Sequence, residues 1–143
     1  MTGKILTFYL CGYLFGIDIK FVKEIIRNIE FNQIPGTQPH IAGLFNMRGQ
    51  IVTVLDLAVI LSYPETLDKK NSACIILKLR QGDLDFVGLL MDRPDDVVDI
   101  ESEWCEPPPA NFGEAEIKYL KEVVKLKDML VMIIDPDMVT GYN

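Results

Sequence analysis

Cysteine, histidine and clusters of positive charge are the features that this sequence has least of. The 143 residues contain three cysteines, Cys11, Cys74 and Cys105, which form no CxxC pair, and His40 is the one imidazole. That spacing favours reduced thiols over a disulfide framework or a zinc site. The formal net charge is −7, and no block of lysine or arginine is present. Because binding to a phosphate backbone depends on clustered cations, nucleic acid is not an expected partner.

Long apolar segments are also missing. The apolar run near the N-terminus is broken by Gly12, Gly16 and Asp18 and has no Ala-x-Ala cleavage site, so it does not resemble a secretory signal. Elsewhere no apolar stretch approaches the roughly 20 residues that a membrane-spanning helix needs. These absences predict a cytoplasmic protein with no direct membrane insertion.

Catalytic and metal-binding motifs are absent as well. The sequence has no HExxH, GxSxG, Walker or GxGxxG pattern. His40 lies in GTQPHIAG among turn-forming residues, without partners at a suitable spacing, which favours a loop position over catalysis or metal binding. No catalytic residue, no metal site and no cofactor is therefore predicted.

An acidic stretch, MDRPDDVVDIESE, is the one candidate for a hard-cation site. Its carboxylates are Asp92, Asp95, Asp96, Asp99, Glu101 and Glu103. They lack the alternating oxygen ligands and the central glycine of an EF-hand loop. We expect instead a solvated strand at the edge of a sheet, with Val97 and Ile100 near buried positions and the carboxylates turned outward.

Short segments rich in Ile, Val, Leu and aromatic residues recur along the chain and are bounded by Gly, Pro, Asn or Asp. This pattern is typical of strands, and it predicts a mainly β protein. Turn signals at CGY, RQGD and KLKD predict antiparallel hairpins over 5–17, 73–91 and 117–134.

Two short helical segments are also predicted. Helical spacing is shown by Ile19, Val22, Ile25 and Ile26. These residues follow Asp18, which can serve as the N-cap of a helix. The segment 57–61 can add one further helical turn.

The chain length suits one compact domain, or two small half-domains that share a core. The polar segment SYPETLDKKNS, 62–72, is the expected solvent loop between the halves. The proline-containing stretch 104–116 is the other long irregular connection. Both halves have a similar strand-rich layout, which permits two linked small barrels without requiring them.

The segment GLFNMRGQIVTVLDL, 43–57, places Arg48 between Met47 and Gly49, just before a strongly apolar strand. A guanidinium there needs a carboxylate if it is buried, or it sits at a rim with its head in solvent. Glu24, in FVKEII, is the acid that stands out in an apolar setting. We predict a Glu24–Arg48 ion pair that ties the early helix to the strand beginning at Gly49. The alternative is that this pair is a structural clamp and no more.

Two longer runs carry a family resemblance, FYLCGYLFGIDIKFVKEI at 8–25 and IPGTQPHIAGLFNMRGQIVTVLDL at 34–57. They contain a strand, a tight turn, Phe-Gly-Ile-Asp-Ile, Val-Lys-Glu-Ile, a proline-containing loop, Asn-Met-Arg-Gly and a strand ending in Asp-Leu. This order and spacing closely resemble the CheW family of chemotaxis coupling proteins. A weaker resemblance continues through ACIILKLRQGDLDFVGLLMDRPDDVVDI and IKYLKEVVKLKDMLVMIIDPDMV, so that nearly the whole chain is covered.

The resemblance implies a mainly β fold in which two SH3-like five-stranded β-barrels pack together with short helices. It also implies that 1–143 forms a single CheW-like domain of two intertwined barrel subdomains, with the central solvent loop near 62–72. A groove between two such barrels can accept a helix by its apolar face, while the exposed barrel ends can meet a second partner.

The function implied by the resemblance is that of an adaptor without catalytic activity. Such an adaptor couples chemoreceptors to the histidine kinase CheA in bacterial chemotaxis, and it needs no cofactor. The implied partners are the regulatory domain of CheA and the cytoplasmic tip of methyl-accepting chemoreceptors. Carried over by position, the implied residues of the receptor groove and partner-binding site are Glu24, Gly43, Asn46, Arg48 and Gly49.

Two departures from the family pattern keep other functions open. Met47 replaces the commoner leucine, and KYLKEVVKL lacks the glycine that usually precedes the last hairpin. One alternative is a CheW-like module of another two-component pathway, such as one that controls surface motility. The other is a small enzyme or ligand-binding β-barrel, with Glu24, Arg48, His40 and the acidic stretch as candidate groups, which requires a deep pocket with converging polar groups.

Overall fold

The structure is a computed structural model that describes residues 3–64 and 72–141. Within these residues, eleven strands form two sheets, accompanied by three short α-helices. The strands are β1 (Gly3–Leu10), β2 (Tyr13–Asp18), β3 (Val22–Arg27), β4 (Ile41–Met47), β5 (Gln50–Asp56), β6 (Ala73–Leu77), β7 (Phe86–Met91), β8 (Arg93–Ile100), β9 (Cys105–Glu106), β10 (Leu120–Leu126) and β11 (Met129–Ile134). The helices are α1 (Leu57–Ile60), α2 (Glu114–Tyr119) and α3 (Pro136–Thr140), and single 3-10 turns cover Ile19–Phe21 and Ser102–Trp104.

The first sheet contains both ends of the described chain and has the strand order β8-β1-β2-β11-β10-β9. Strands β2 and β11 run parallel, and the other neighbouring strands are antiparallel. Because β9 has two residues, this sheet is in effect a five-stranded sheet with a short extra strand at one edge.

The second sheet is built from the middle of the chain and has the strand order β3-β6-β7-β5-β4. Strands β5 and β7 run parallel, and the remaining pairs are antiparallel. Strands β3 and β4 are therefore the two edges of this sheet, although they follow one another along the chain.

The three predicted hairpins are confirmed. Strand β1 pairs with β2, β6 with β7 and β10 with β11, each in antiparallel register. The predicted turn after 57 is also confirmed, because α1 covers Leu57–Ile60 and the Asp56 carboxylate accepts hydrogen bonds from the Ala58 and Val59 amides.

The predicted helix after Asp18 is wrong beyond its first turn. Asp18 does act as a cap, since its carboxylate accepts a hydrogen bond from the Lys20 amide, but the helical turn ends at Phe21. The chain then continues as β3, which pairs with β6. The β-branched residues of this segment favour an extended backbone, and tertiary pairing outweighs their helical spacing.

The third hairpin begins later than predicted, because 117–119 is helical. Helix α2 starts after Gly113, whose amide donates a hydrogen bond to the Glu116 side chain at 3.1 Å. This is the half of a capping box that a glycine N-cap allows. The chain becomes extended at Leu120, where β10 begins. The apolar pattern of IKYLKEVVKL did not reveal this change from helix to strand.

The acidic stretch lies on β8, an edge strand of the first sheet, as predicted. Ile100 is buried, but the expectation for Val97 is wrong, because this side chain is 46% exposed. Side chains alternate across a strand, so two residues three positions apart face opposite sides of the sheet. Among the residues described, no group of three acids, cysteines or histidines could hold a metal ion.

The two sheets share a core. The main cluster of buried apolar side chains combines Phe8 and Phe15 of the first sheet with Val52 and Leu89 of the second. A smaller cluster that includes Ile5 and Val131 belongs to the first sheet alone. The sheets therefore pack against each other, and each contributes residues to one continuous apolar interior.

Most of the predicted solvent loop at 62–72 cannot be compared with the fold, because 65–71 lies outside the described residues. Its first residues are Ser62, Tyr63 and Pro64. Tyr63 contacts aromatic rings of the first sheet. In the two described ranges, no helix is long and apolar enough to cross a bilayer.

Candidate functional site

The turn between β4 and β5 presents the charged residue that the sequence singles out. Met47 pairs with Gln50, so the loop consists of Arg48 and Gly49 alone. Their φ angles are 53° and 85°, and two positive φ values in a two-residue hairpin loop are typical of a type I′ turn. Glycine adopts this conformation readily, whereas arginine does so at a cost of about 1 kcal/mol.

The predicted ion pair between Glu24 and Arg48 is present. Arg48 Nη2 lies 2.5 Å from Glu24 Oε2. Glu24 lies on β3 and not on a helix, and Arg48 lies in the turn that follows β4, so the pair links one edge strand of the second sheet to the end of the other. It spans the seam between these two edges.

The energetic contribution of this pair to folding is small. The Arg48 side chain is 68% exposed and the Glu24 side chain 29% exposed. Exposed ion pairs stabilise a protein by about 0–1 kcal/mol, since solvent screens the charges and both side chains lose freedom. This gain is similar to the backbone cost of Arg48, so stability alone does not account for an arginine at this position.

Asn46 supports the same turn from within β4. Its side-chain Oδ1 accepts a hydrogen bond from the Gly49 amide at 2.8 Å. Asn46 is exposed, and its register partner on β5 is Ile51. Directly opposite residues in a sheet point to the same face. Asn46, Arg48, Gly49 and Glu24 are therefore brought together as one cluster.

Gly43 does not belong to this cluster. A Cβ atom on Gly43 would lie 2.2 Å from the backbone oxygen of Asn32. The segment before β4 crosses here, with hydrogen bonds in both directions between the backbones of Asn32 and Leu44. Gly43 thus permits close packing between the backbones of β4 and the segment before it. Among the predicted partner-binding residues, it is the one that serves the fold rather than the charged cluster.

Ile51 is a neighbour of the site that the sequence analysis missed. Its side chain is 42% exposed at the start of β5, on the same face of the sheet as Asn46. Side chains alternate between the two faces of a strand. Val52 and Val54 are buried, so Ile51 lies on the opposite face of β5, and the alternation in IVTVLDL indicates this. The site therefore offers a cation beside an exposed apolar side chain.

The groups proposed for an enzyme or small-ligand barrel are not assembled. Glu24 and Arg48 lie at the seam of the second sheet, whereas the acidic stretch lies on the edge of the first. A cleft of about 680 Å³ is lined by residues that include His40, Leu55, Val59, Tyr119 and Val139. Neither Glu24 nor Arg48 lines it, so the candidate polar groups do not converge there.

The fold and this site define a class of protein in which two packed β-sheets present a charged turn. Comparison with known families identifies the class further. Residues 4–141 match the CheW-like domain. The chain therefore belongs to the CheW-like domain family, and the resemblance read from the sequence is confirmed.

Individual relatives agree with this assignment. The chemotaxis protein CheW of Bacillus subtilis is 29% identical over 136 residues, which cover 95% of this chain and 85% of that protein. The chemotaxis protein CheW of Klebsiella aerogenes is 29% identical over 132 residues, with 92% and 78% covered.

A solved structure extends the similarity to the fold. The scaffolding protein TtCheW from Thermoanaerobacter tengcongensis superposes with a TM-score of 0.81 at 29% identity, covering 95% of this chain and 86% of that one. The predicted fold class, mainly β and SH3-like with short helices, is confirmed.

Proposed function

We propose that this protein is a non-catalytic adaptor that couples chemoreceptors to the histidine kinase CheA in bacterial chemotaxis. Family membership supports a role in chemotaxis as a coupling or scaffold protein. The relatives support the same role by name, since two are chemotaxis proteins and one is a scaffolding protein. The regulatory domain of CheA and the cytoplasmic tip of the receptors are the proposed partners.

One observation carries the proposal to particular residues. Arg48 occupies a strained backbone position and holds an exposed guanidinium at the seam of the second sheet. Strain of this kind clusters at functional sites, where the surrounding structure maintains it. Glu24, Asn46, Arg48 and Gly49 are therefore proposed as the residues that form the partner-binding site, while Gly43 permits the close packing of β4 against the Asn32 backbone.

The chemistry of this surface fits an amphipathic helical partner. Ile51 offers an exposed apolar contact, and Arg48 offers donors for a carboxylate. Helical partners dock by an apolar face, and charges at the margin set orientation and association rate. Receptor tips are the proposed source of such a helix, and the regulatory domain of CheA would bind elsewhere on the protein.

The proposal is tested by measuring binding of the purified protein to a receptor cytoplasmic fragment and to the CheA regulatory domain from the same organism. Arg48→Glu is expected to weaken receptor binding at least about tenfold, a loss of ~1.4 kcal/mol. Lys4→Glu is the matched control, because Lys4 also forms an exposed ion pair, with Asp99 at 2.8 Å on the first sheet.

Comparison of Arg48→Glu with Lys4→Glu separates a local effect on receptor binding from a general effect of charge.

Arg48→Ala should keep the native circular dichroism spectrum and change stability by no more than about 1 kcal/mol, since its ion pair is exposed. Binding to neither partner by the folded wild-type protein would refute the coupling function and favour another two-component pathway. Equal loss with Lys4→Glu and Arg48→Glu would remove the assignment to this turn.

A further inference from the structure

Arg48 occupies a left-handed backbone position that suits few residue types. Three hairpins in the described chain have two-residue loops with positive φ at both positions: Cys11–Gly12, Arg48–Gly49 and Lys127–Asp128. Asparagine, aspartate and glycine are the residues that tolerate this backbone best. A long side chain in the left-handed region persists where neighbouring groups hold the loop in place.

The Asn46 side chain is such a group. In a two-residue hairpin the flanking residues, here Met47 and Gln50, form the terminal backbone pair. The Gly49 amide lies outside that pair, and Asn46 Oδ1 accepts its hydrogen bond at 2.8 Å. The carboxamide therefore links the strand to the second loop residue and restricts rotation of the peptide that follows Arg48.

The other two turns lack an amide side chain at the equivalent position. Tyr9 stands there before the first turn and Lys125 before the third. The first turn is instead held from outside, where the Cys11 amide donates to Asp92 Oδ2 at 2.8 Å. The Asn46 side chain is therefore a clamp that lies within strand β4. Of the three turns, the one it holds is the turn that carries the exposed Arg48 guanidinium.

We infer that Asn46 is a positioning residue, which fixes the Arg48–Gly49 turn so that the Arg48 guanidinium is held against Glu24 and presented to the partner. This inference rests on the proposed function of Arg48. It assigns Asn46 a role that acts through Arg48, without direct contact with the partner. A pre-formed turn lowers the entropy lost when the guanidinium is engaged.

A double-mutant cycle tests this role. Binding of the receptor fragment is measured for Asn46→Ala, Arg48→Ala and the double variant. Asn46→Ala is expected to weaken binding by about two- to tenfold, the range for loss of one neutral hydrogen bond. If Asn46 acts through Arg48, the double variant binds as weakly as Arg48→Ala alone, so the two effects are not additive.

Asn46→Asp is the conservative rescue, because its carboxylate oxygen can accept the same hydrogen bond from Gly49. It should bind the receptor fragment within about twofold of wild type, since the hydrogen bond from Gly49 is retained. Amide hydrogen exchange gives a readout without any partner. The Gly49 amide should exchange faster in Asn46→Ala than in wild type or Asn46→Asp, because it has lost its acceptor.

Three results would overturn the inference. Additive losses in the cycle would mean that Asn46 contacts the partner itself or acts on the fold as a whole. Asn46→Asp binding as weakly as Asn46→Ala would show that the amide nitrogen matters, and wild-type binding by Asn46→Ala would show that the clamp is dispensable. Failure of the proposed function has different signatures: the folded wild type binds neither partner if the coupling role is wrong, and Arg48→Ala binds like wild type if the role of Arg48 is wrong.

Discussion

At the scale of single residues, Thr7 shows how one hydroxyl organises part of the acidic strand. Thr7 is buried, with 2% of its surface exposed. Its Oγ1 donates to Asp95 Oδ2 at 2.9 Å and accepts from the Asp96 amide at 3.0 Å. These bonds lie where the register between β1 and β8 shifts, between Leu6 and Phe8. Asp95 thus has a structural partner and is not part of a cation site.

We predict that Thr7→Val destabilises the protein by about 1–3 kcal/mol. Valine has nearly the shape of threonine, but it removes the acceptor of the partly buried hydrogen bond from the Asp96 amide and the donor to Asp95. Urea unfolding followed by circular dichroism measures the effect. Thr7→Ser, which keeps the hydroxyl and loses one methyl group, is the control and should be less destabilised. Equal stability of Thr7→Val and wild type would contradict the assigned role.

At the scale of secondary-structure elements, the hairpin turns determine how strands are paired. The three two-residue turns place all of their loop residues in the left-handed region. Type I′ turns suit the right-handed twist of the flanking strands. In the last hairpin, Lys127 and Asp128 have φ angles of 46° and 67°, although neither residue is glycine or asparagine. This turn therefore retains strain that can be relieved.

Replacing this turn by Lys127→Asn together with Asp128→Gly is expected to raise stability by about 1 kcal/mol, because Asn-Gly is the favoured type I′ pair and relieves the backbone strain. The midpoint of urea unfolding checks this. Lys127→Ala together with Asp128→Ala removes the same two charges without relieving the strain, so it should not stabilise. A gain in both variants would assign the effect to charge.

At the scale of the whole molecule, Tyr63 connects the two sheets. It follows α1, which extends from the second sheet, and its ring contacts Tyr13 and Phe15 of the first at centroid distances of 5.8 and 6.2 Å. Its hydroxyl donates to Glu116 Oε2 on α2 at 2.8 Å. Burial, followed by the hydrogen bond to Glu116 and its negative charge, raises the pKa of Tyr63 above its ordinary value.

This arrangement predicts a pH-dependent stability. Above about pH 10 a tyrosine in the unfolded chain loses its proton, whereas Tyr63 in the folded protein keeps it. The folded state then binds more protons than the unfolded state, so stability decreases as pH rises. Tyr63→Phe should be less stable at pH 7 by about 1–2 kcal/mol. It should also lose less stability than wild type between pH 9 and about pH 11, because it lacks this titrating group.

Unfolding free energies of wild type and Tyr63→Phe across this pH range provide the measurement. Tyr13→Phe is the matched control, because Tyr13 contacts the same ring and is itself 55% exposed. Parallel pH profiles for wild type and Tyr63→Phe would mean that Tyr63 does not link proton binding to folding.

Much of the candidate site was predictable from local sequence. Arg48 stood out as a charge beside an apolar strand, and Glu24 as the acid in an apolar setting, and the two form an ion pair. The role of Gly43 could not be predicted, because it depends on Asn32, which approaches through a backbone crossing. The exposure of Ile51 depends on which face of β5 the core covers.

The hairpins, the helical turn after 57, the Glu24–Arg48 pair and the family were evident from the sequence, because turn residues, two-residue alternation and local motifs act over a few positions of the chain. The fold was needed to establish that 22–27 is a strand, that β2 lies parallel to β11, and that β5 lies parallel to β7. These features depend on contacts between segments that are far apart in sequence. The free energy gained from burial and strand pairing in these contacts outweighs the local helical preference and the entropy lost in closing long loops.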